Sequence, residues 1–124
     1  MSVSQRVLIV DDDPAVREIL SAILQREAVI CDVASDGEQA LDLLGRETYG
    51  AVLLDLLMPR LDGAGVIRFM KEKGIETPVI VLTAVAGDGS HDLDPAVVRV
   101  QMQKPIELGD LRVVVRAILK SARA

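Results

Sequence analysis

The chain is poor in aromatic side chains: of 124 residues only Tyr49 and Phe69 carry a ring, and tryptophan is absent. Two rings are too few for a platform on which nucleic-acid bases could stack. Positive charge is also scarce, with fourteen lysines and arginines against nineteen aspartates and glutamates, a net charge of −5 and a pI near 4.8. Duplex binding draws on concentrated positive charge, so no direct nucleic-acid partner is expected. The single cysteine, Cys31, has no partner for an internal disulfide, and no Cys/His group has the spacing of a zinc site. No apolar run approaches the roughly 18 residues that span a bilayer. The short run in MSVSQRVLIVDDD meets three aspartates at once, the wrong flank for a secretory signal. The expectation is a soluble, cytoplasmic protein with no membrane partner, one domain over residues 1–124, and no output domain attached.

Hydrophobic residues make up 50% of the chain, enough for a real core, and they fall into two alternating patterns. Val7–Val10, Val29–Val33, Ala51–Leu54, Val79–Leu82 and Val98–Gln103 have strand length, and stretches of helical period separate most of them. Asp13-Pro14 reads as an N-cap followed by proline at the first helical position, and Val16, Ile19, Leu20, Ile23 and Leu24 then share one helix face. Ser35-Asp36-Gly37-Glu38 fits a capping box ahead of a helix with Ala40, Leu41 and Leu44 inward. Asp62 opens a helix carrying Val66, Ile67 and Met70, with Gly74 as its terminator. The last helix is striped by Leu108, Leu111, Val115 and Ile118. AVAGDGSHDLDPAVV, with two glycines, three aspartates and a proline, predicts a loop with at most a short helix. The pattern is α/β: an open, doubly wound (βα)5 parallel sheet whose fourth helix is short or irregular.

In such sheets ligands sit beyond the carboxyl ends of the strands. Those ends carry Asp11, Asp12, Asp55, Thr83 and Lys104. Carboxylates converging on one crevice repel one another, and a divalent cation removes that conflict. Oxygen ligands without His or Cys favour Mg²⁺ over zinc. A lysine adds a compact positive charge and a threonine a hydroxyl that donates to an oxyanion. The set suits phosphoryl transfer.

VLIVDDDP at 7–14, SDGEQAL at 35–41, DLLMPRLDG at 55–63, PVIVLTA at 78–84 and Lys104-Pro105 together resemble the receiver (CheY-like) domain of two-component response regulators. The resemblance implies a flavodoxin-like sheet with strand order 2-1-3-4-5. It implies that Asp55 accepts a phosphoryl group from a sensor histidine kinase or a histidine phosphotransfer protein. Asp11, Asp12, Asp55 and the backbone carbonyl of Leu57 would hold Mg²⁺, Thr83 would bond a phosphoryl oxygen, and Lys104 would pair with the phosphoryl charge. It implies a signalling switch acting through a downstream protein, with self-phosphorylation and autodephosphorylation as its only chemistry, and a Lys104-Pro105 peptide that is often cis. One departure concerns output: Gln101 stands where the family usually places a Tyr or Phe, and Gln103 adds a second polar residue beside Met102.

Other readings attach to single residues. Asp13 is expected to be a helix cap, His91 a solvated side chain, and Cys31 a packing residue. Gly63-Ala64-Gly65 is too short for a dinucleotide loop. Arg112, Arg116, Lys120 and Arg123 give the last helix a basic face, either solvated or in contact with an acidic partner. Two alternatives to the switch are a pseudo-receiver that binds partners without phosphorylation, and a haloacid-dehalogenase-like phosphatase with Asp11 as nucleophile.

Overall fold

The computed structural model describes residues 6–56, 58, 62–84 and 95–121. The described elements run β1 (Arg6–Val10), α1 (Pro14–Gln25), β2 (Ile30–Ala34), α2 (Gly37–Arg46), β3 (Ala51–Asp55), α3 (Gly63–Glu72), β4 (Val79–Thr83), β5 (Val98–Gln103) and α4 (Leu108–Ser121). The strands form one parallel sheet in the order β2-β1-β3-β4-β5, as the resemblance implied. Residues 85–94, which include His91 and most of the irregular stretch, lie outside the described residues, and Pro95–Val97 form a turn into β5.

Apart from Arg6, Asp55 and Thr83 at their ends, the inner strands β1, β3 and β4 are apolar because both faces of the sheet are covered. Leu8, Val10, Val52, Leu54, Val79 and Val81 pack on one face with Ala40, Leu44, Val66, Ile67 and Met70 of α2 and α3. Their alternates, Val7, Ile9, Ala51, Leu53, Ile80 and Leu82, pack on the other with Leu20, Leu24, Leu111, Val115 and Leu119 of α1 and α4. Each fully buried aliphatic side chain contributes roughly 1.5–3 kcal/mol.

Three local expectations are corrected. The capping box of α2 sits one residue later than the Ser35–Glu38 pattern: Asp36 is the N-cap, accepting from the Gln39 N–H, and the Gln39 side-chain oxygen accepts from the Ser35 N–H at 2.8 Å. The carboxylate of Asp36 is a stronger acceptor than the Ser35 hydroxyl, which fixes the register. Strand β2 begins at Ile30 and not Val29, because the Val29 N–H is still bonded to the Leu24 carbonyl of α1. Finally, Ile19 does not join the buried face of α1 and is 50% exposed. At about 100° per residue it lies at the edge of the apolar arc centred on Leu20.

Both other caps are as expected. Asp13 accepts from the Ala15 N–H with Pro14 next in the chain, and Asp62 accepts from the Gly65 N–H. Gly74 ends α3 at φ 68°.

Candidate functional site

The order 2-1-3 places the topological switch point between β1 and β3, and the chain leaves both strands there through aspartates. Asp11, Asp12 and Asp55 each offer a carboxylate oxygen, and these oxygens lie within 4.8 Å of one another. Asp11 and Asp55 are buried and Asp12 is exposed, so the cluster meets solvent on the Asp12 side.

Lys104 closes the cluster from the end of β5. Its ammonium stands 2.9 Å from Asp11 Oδ2 and 3.4 Å from Asp55 Oδ2. Its backbone N–H donates to the Thr83 carbonyl at 2.7 Å, tying the end of β5 to the end of β4, and the Lys104-Pro105 peptide is cis. Burial pulls the Lys104 ammonium towards neutrality, but the hydrogen bond and charge of Asp11, with Asp55 behind them, outweigh it and hold its pKa above the ordinary lysine value. The lysine is therefore a fixed positive charge. Thr83, the last residue of β4, is buried beside this group at 5% exposure.

Both oxygens of Asp11 are engaged: Oδ1 accepts from the Asp13 N–H at 2.9 Å and Oδ2 from Lys104 at 2.9 Å. Asp13 spends its own side chain on the helix cap. Asp55 sits at the end of β3, and the first turn of α3 rests against it. The Gly63 N–H donates to the Leu56 carbonyl at 3.1 Å, and a Cβ at Gly63 would lie 2.8 Å from the Leu56 Cα and 2.9 Å from the Asp55 carbonyl. Only glycine lets the helix approach this closely. The pattern DLLMPRLDG carries Gly63 as a motif letter, but its steric reason appears only in three dimensions. Leu57 lies outside the described residues.

The donor set fits a hard divalent cation. Three carboxylates supply oxygen ligands at a spacing one ion can bridge, as Mg²⁺ sites do with water completing the shell.

The model of the response regulator receiver domain family matches residues 7–116 of this chain. The chain belongs to that family. Among curated relatives, the response regulator MprA of Mycolicibacterium vanbaalenii is 40% identical, over 93% of this chain and 50% of its own length. The chain thus spans about half the length of that relative. Among solved structures, the Francisella response regulator 1452 receiver domain superposes with a TM-score of 0.88 at 27% identity, covering 95% of this chain and 98% of that one. The receiver domain of the Pseudomonas aeruginosa sensor histidine kinase PA1611 superposes with a TM-score of 0.83 at 27% identity, over 95% and 99% of the two chains, and holds a magnesium ion in its active-site cleft. The phosphatase alternative falls with this assignment.

Three interactions of this receiver domain escape a reading of the sequence. Arg17 of α1 donates to the Asp11 carbonyl at 2.7 Å. Glu27 binds both Arg112 and Arg116, so two residues of the basic face already have an acidic partner within the chain. At the opposite end of the sheet, Arg6 and the Tyr49 hydroxyl both bond Asp32, and burial together with that bond pushes the Tyr49 phenol up. Sequence separation hides all but the first, and an arginine in an N-terminal helical turn carries no signal of its own.

Proposed function

We propose that this receiver domain is a phosphorylation switch in which Asp55 accepts a phosphoryl group from a histidine kinase or a histidine phosphotransfer protein. The observation that supports this most is the convergence of Asp11, Asp12 and Asp55 under one lysine at the switch point. Asp11 and Asp12, with Asp55 and the carbonyl of Leu57, are the residues that would hold Mg²⁺. Bound there, the ion supplies charge neutralisation for the phosphoryl oxygens.

The chain's own groups do the rest. A carboxylate oxygen of Asp55 attacks phosphorus in line. The bond from phosphorus to the donor imidazole nitrogen breaks, its electron pair leaves with the imidazole, and the product is an acyl phosphate on Asp55. The Thr83 hydroxyl donates to a phosphoryl oxygen, and Lys104 exchanges its contact with Asp55 for the new phosphoryl charge. Loss of that lysine contact is the first structural consequence of phosphorylation. Gln101, exposed on β5, replaces the aromatic of the family, and the switch signals through contact with a downstream protein. The reading keeps the chain in the cytoplasm, beside its phosphodonor, with transfer to itself and autodephosphorylation as its only chemistry.

The test is intact-mass measurement after incubation with Mg²⁺ and acetyl phosphate. Wild type should gain one labile phosphoryl group and Asp55→Asn none. Mg²⁺ binding without an adduct on wild type would replace the switch by a phosphorylation-independent interaction module.

A further inference from the structure

Of the three clustered carboxylates, Asp12 alone is exposed, and among the described residues its side chain makes no hydrogen bond or ion pair. Its direction is therefore set by the backbone that carries it. That backbone is held at three points. The Asp11 N–H donates to the Ala34 carbonyl at 3.1 Å, and the Asp13 N–H donates to the Asp11 carboxylate at 2.9 Å. The third point is the peptide between Asp11 and Asp12, whose carbonyl oxygen accepts from Arg17 Nη1 at 2.7 Å, the shortest of the three. Arg17 reaches this oxygen from the first turns of α1, whose N-cap Asp13 is the residue after Asp12.

We propose that Arg17 is a positioning residue for the divalent-cation site: by holding the Asp11 carbonyl it fixes the Asp11–Asp12 peptide and aims the Asp12 carboxylate into the cluster. The role rests on the reading of this cluster as a Mg²⁺ site. It also has a sign that separates it from charge alone. A guanidinium near a cation site repels the cation, so an arginine acting only through its charge would weaken Mg²⁺ binding, and its removal would tighten it. A positioning arginine does the reverse, since loss of a group that orients a ligand lowers metal affinity by about tenfold or more.

The experiment is a Mg²⁺ titration of the full chain followed by amide NMR shifts, for wild type, Arg17→Met, Arg17→Lys, Asp12→Asn and the Arg17→Met/Asp12→Asn pair. Arg17→Met should raise the Mg²⁺ dissociation constant about tenfold. Arg17→Lys, which keeps a donor and the charge, should recover part of the loss, and it carries the test if the methionine variant does not fold. In the Asp12→Asn background, Arg17→Met should have no further effect, because the carboxylate it aims is gone. Unchanged or tighter binding by Arg17→Met overturns the role, and so does a tenfold loss that persists in the Asp12→Asn background. Absence of Mg²⁺ binding by wild type would remove the cation site itself, and this proposal with it.

Discussion

Ala28 closes the first helix at φ 61°, a left-handed conformation that costs an alanine roughly 1–2 kcal/mol. The Val29 and Ala28 N–H groups return to the Leu24 and Gln25 carbonyls, the paired bonds of a Schellman ending. Helix α3 ends the same way, with Ile75 and Gly74 returning to Met70 and Lys71, but there the left-handed residue is glycine. Gly74 is legible as a terminator because glycine is the residue this conformation selects. Ala28 is not, and the apolar pattern starts β2 one residue early as a result. Ala28→Gly should therefore stabilise the protein. Relief of the left-handed cost exceeds the roughly 0.5–1 kcal/mol that glycine's flexibility takes back. The expected gain is about 0.5–1 kcal/mol in urea unfolding, and a loss of stability would show that Ala28 contributes a contact worth more than its strain. The site aspartates belong with Gly74: each stands where an apolar run ends, so hydrophobic patterning alone marks their positions.

Between elements, legibility falls with sequence separation. The basic stripe of α4 is visible in Arg112 and Arg116, yet their partner Glu27 lies 85 and 89 residues away at the end of α1. The bond from Arg116, opposed by burial and reinforced by Arg112, holds the Glu27 carboxyl below its ordinary value. A lowered folded-state pKa means that this clasp stabilises the protein above the unfolded carboxylate pKa of about 4.3 and is lost as pH falls through the lower folded value. Glu27→Gln should thus unfold at lower urea than wild type at pH 7, with the gap closing as pH falls below the unfolded carboxylate value and through the lower folded one. A gap of constant size across that range would assign the contact to packing. The same clasp means that charge reversal at Arg112 and Arg116 disturbs the docking of α4 on α1, whatever it does to a partner.

For the molecule as a whole, the two-faced burial of the sheet fixes where chemistry can occur. Strands covered on both faces leave only their ends for polar groups, which is why the fold and the carboxylate cluster are readable together. The surface that meets a phosphodonor is not readable in the same way, because it depends on which edge of a helical arc stays uncovered. Ile19 is that edge. With Val16 and Leu20 of α1, Pro105 and Ile106 ahead of α4, and Leu108 at its start, it lines an open apolar groove of about 200 Å³ that reaches Lys104. On the proposed function, acetyl phosphate needs no contact there, whereas a protein donor delivering its phosphohistidine to Asp55 would rest on the rim of the cleft. Ile19→Asp should leave labelling by acetyl phosphate at the wild-type rate, since the side chain is half exposed and its loss opens no cavity. Transfer from a phosphorylated histidine-containing donor competent toward wild type should slow by about tenfold, the effect of placing a charge in an apolar contact worth ~1.4 kcal/mol. Equal slowing of both reactions would place Ile19 in the support of the site, and equal rates would move the donor to another side of the cleft.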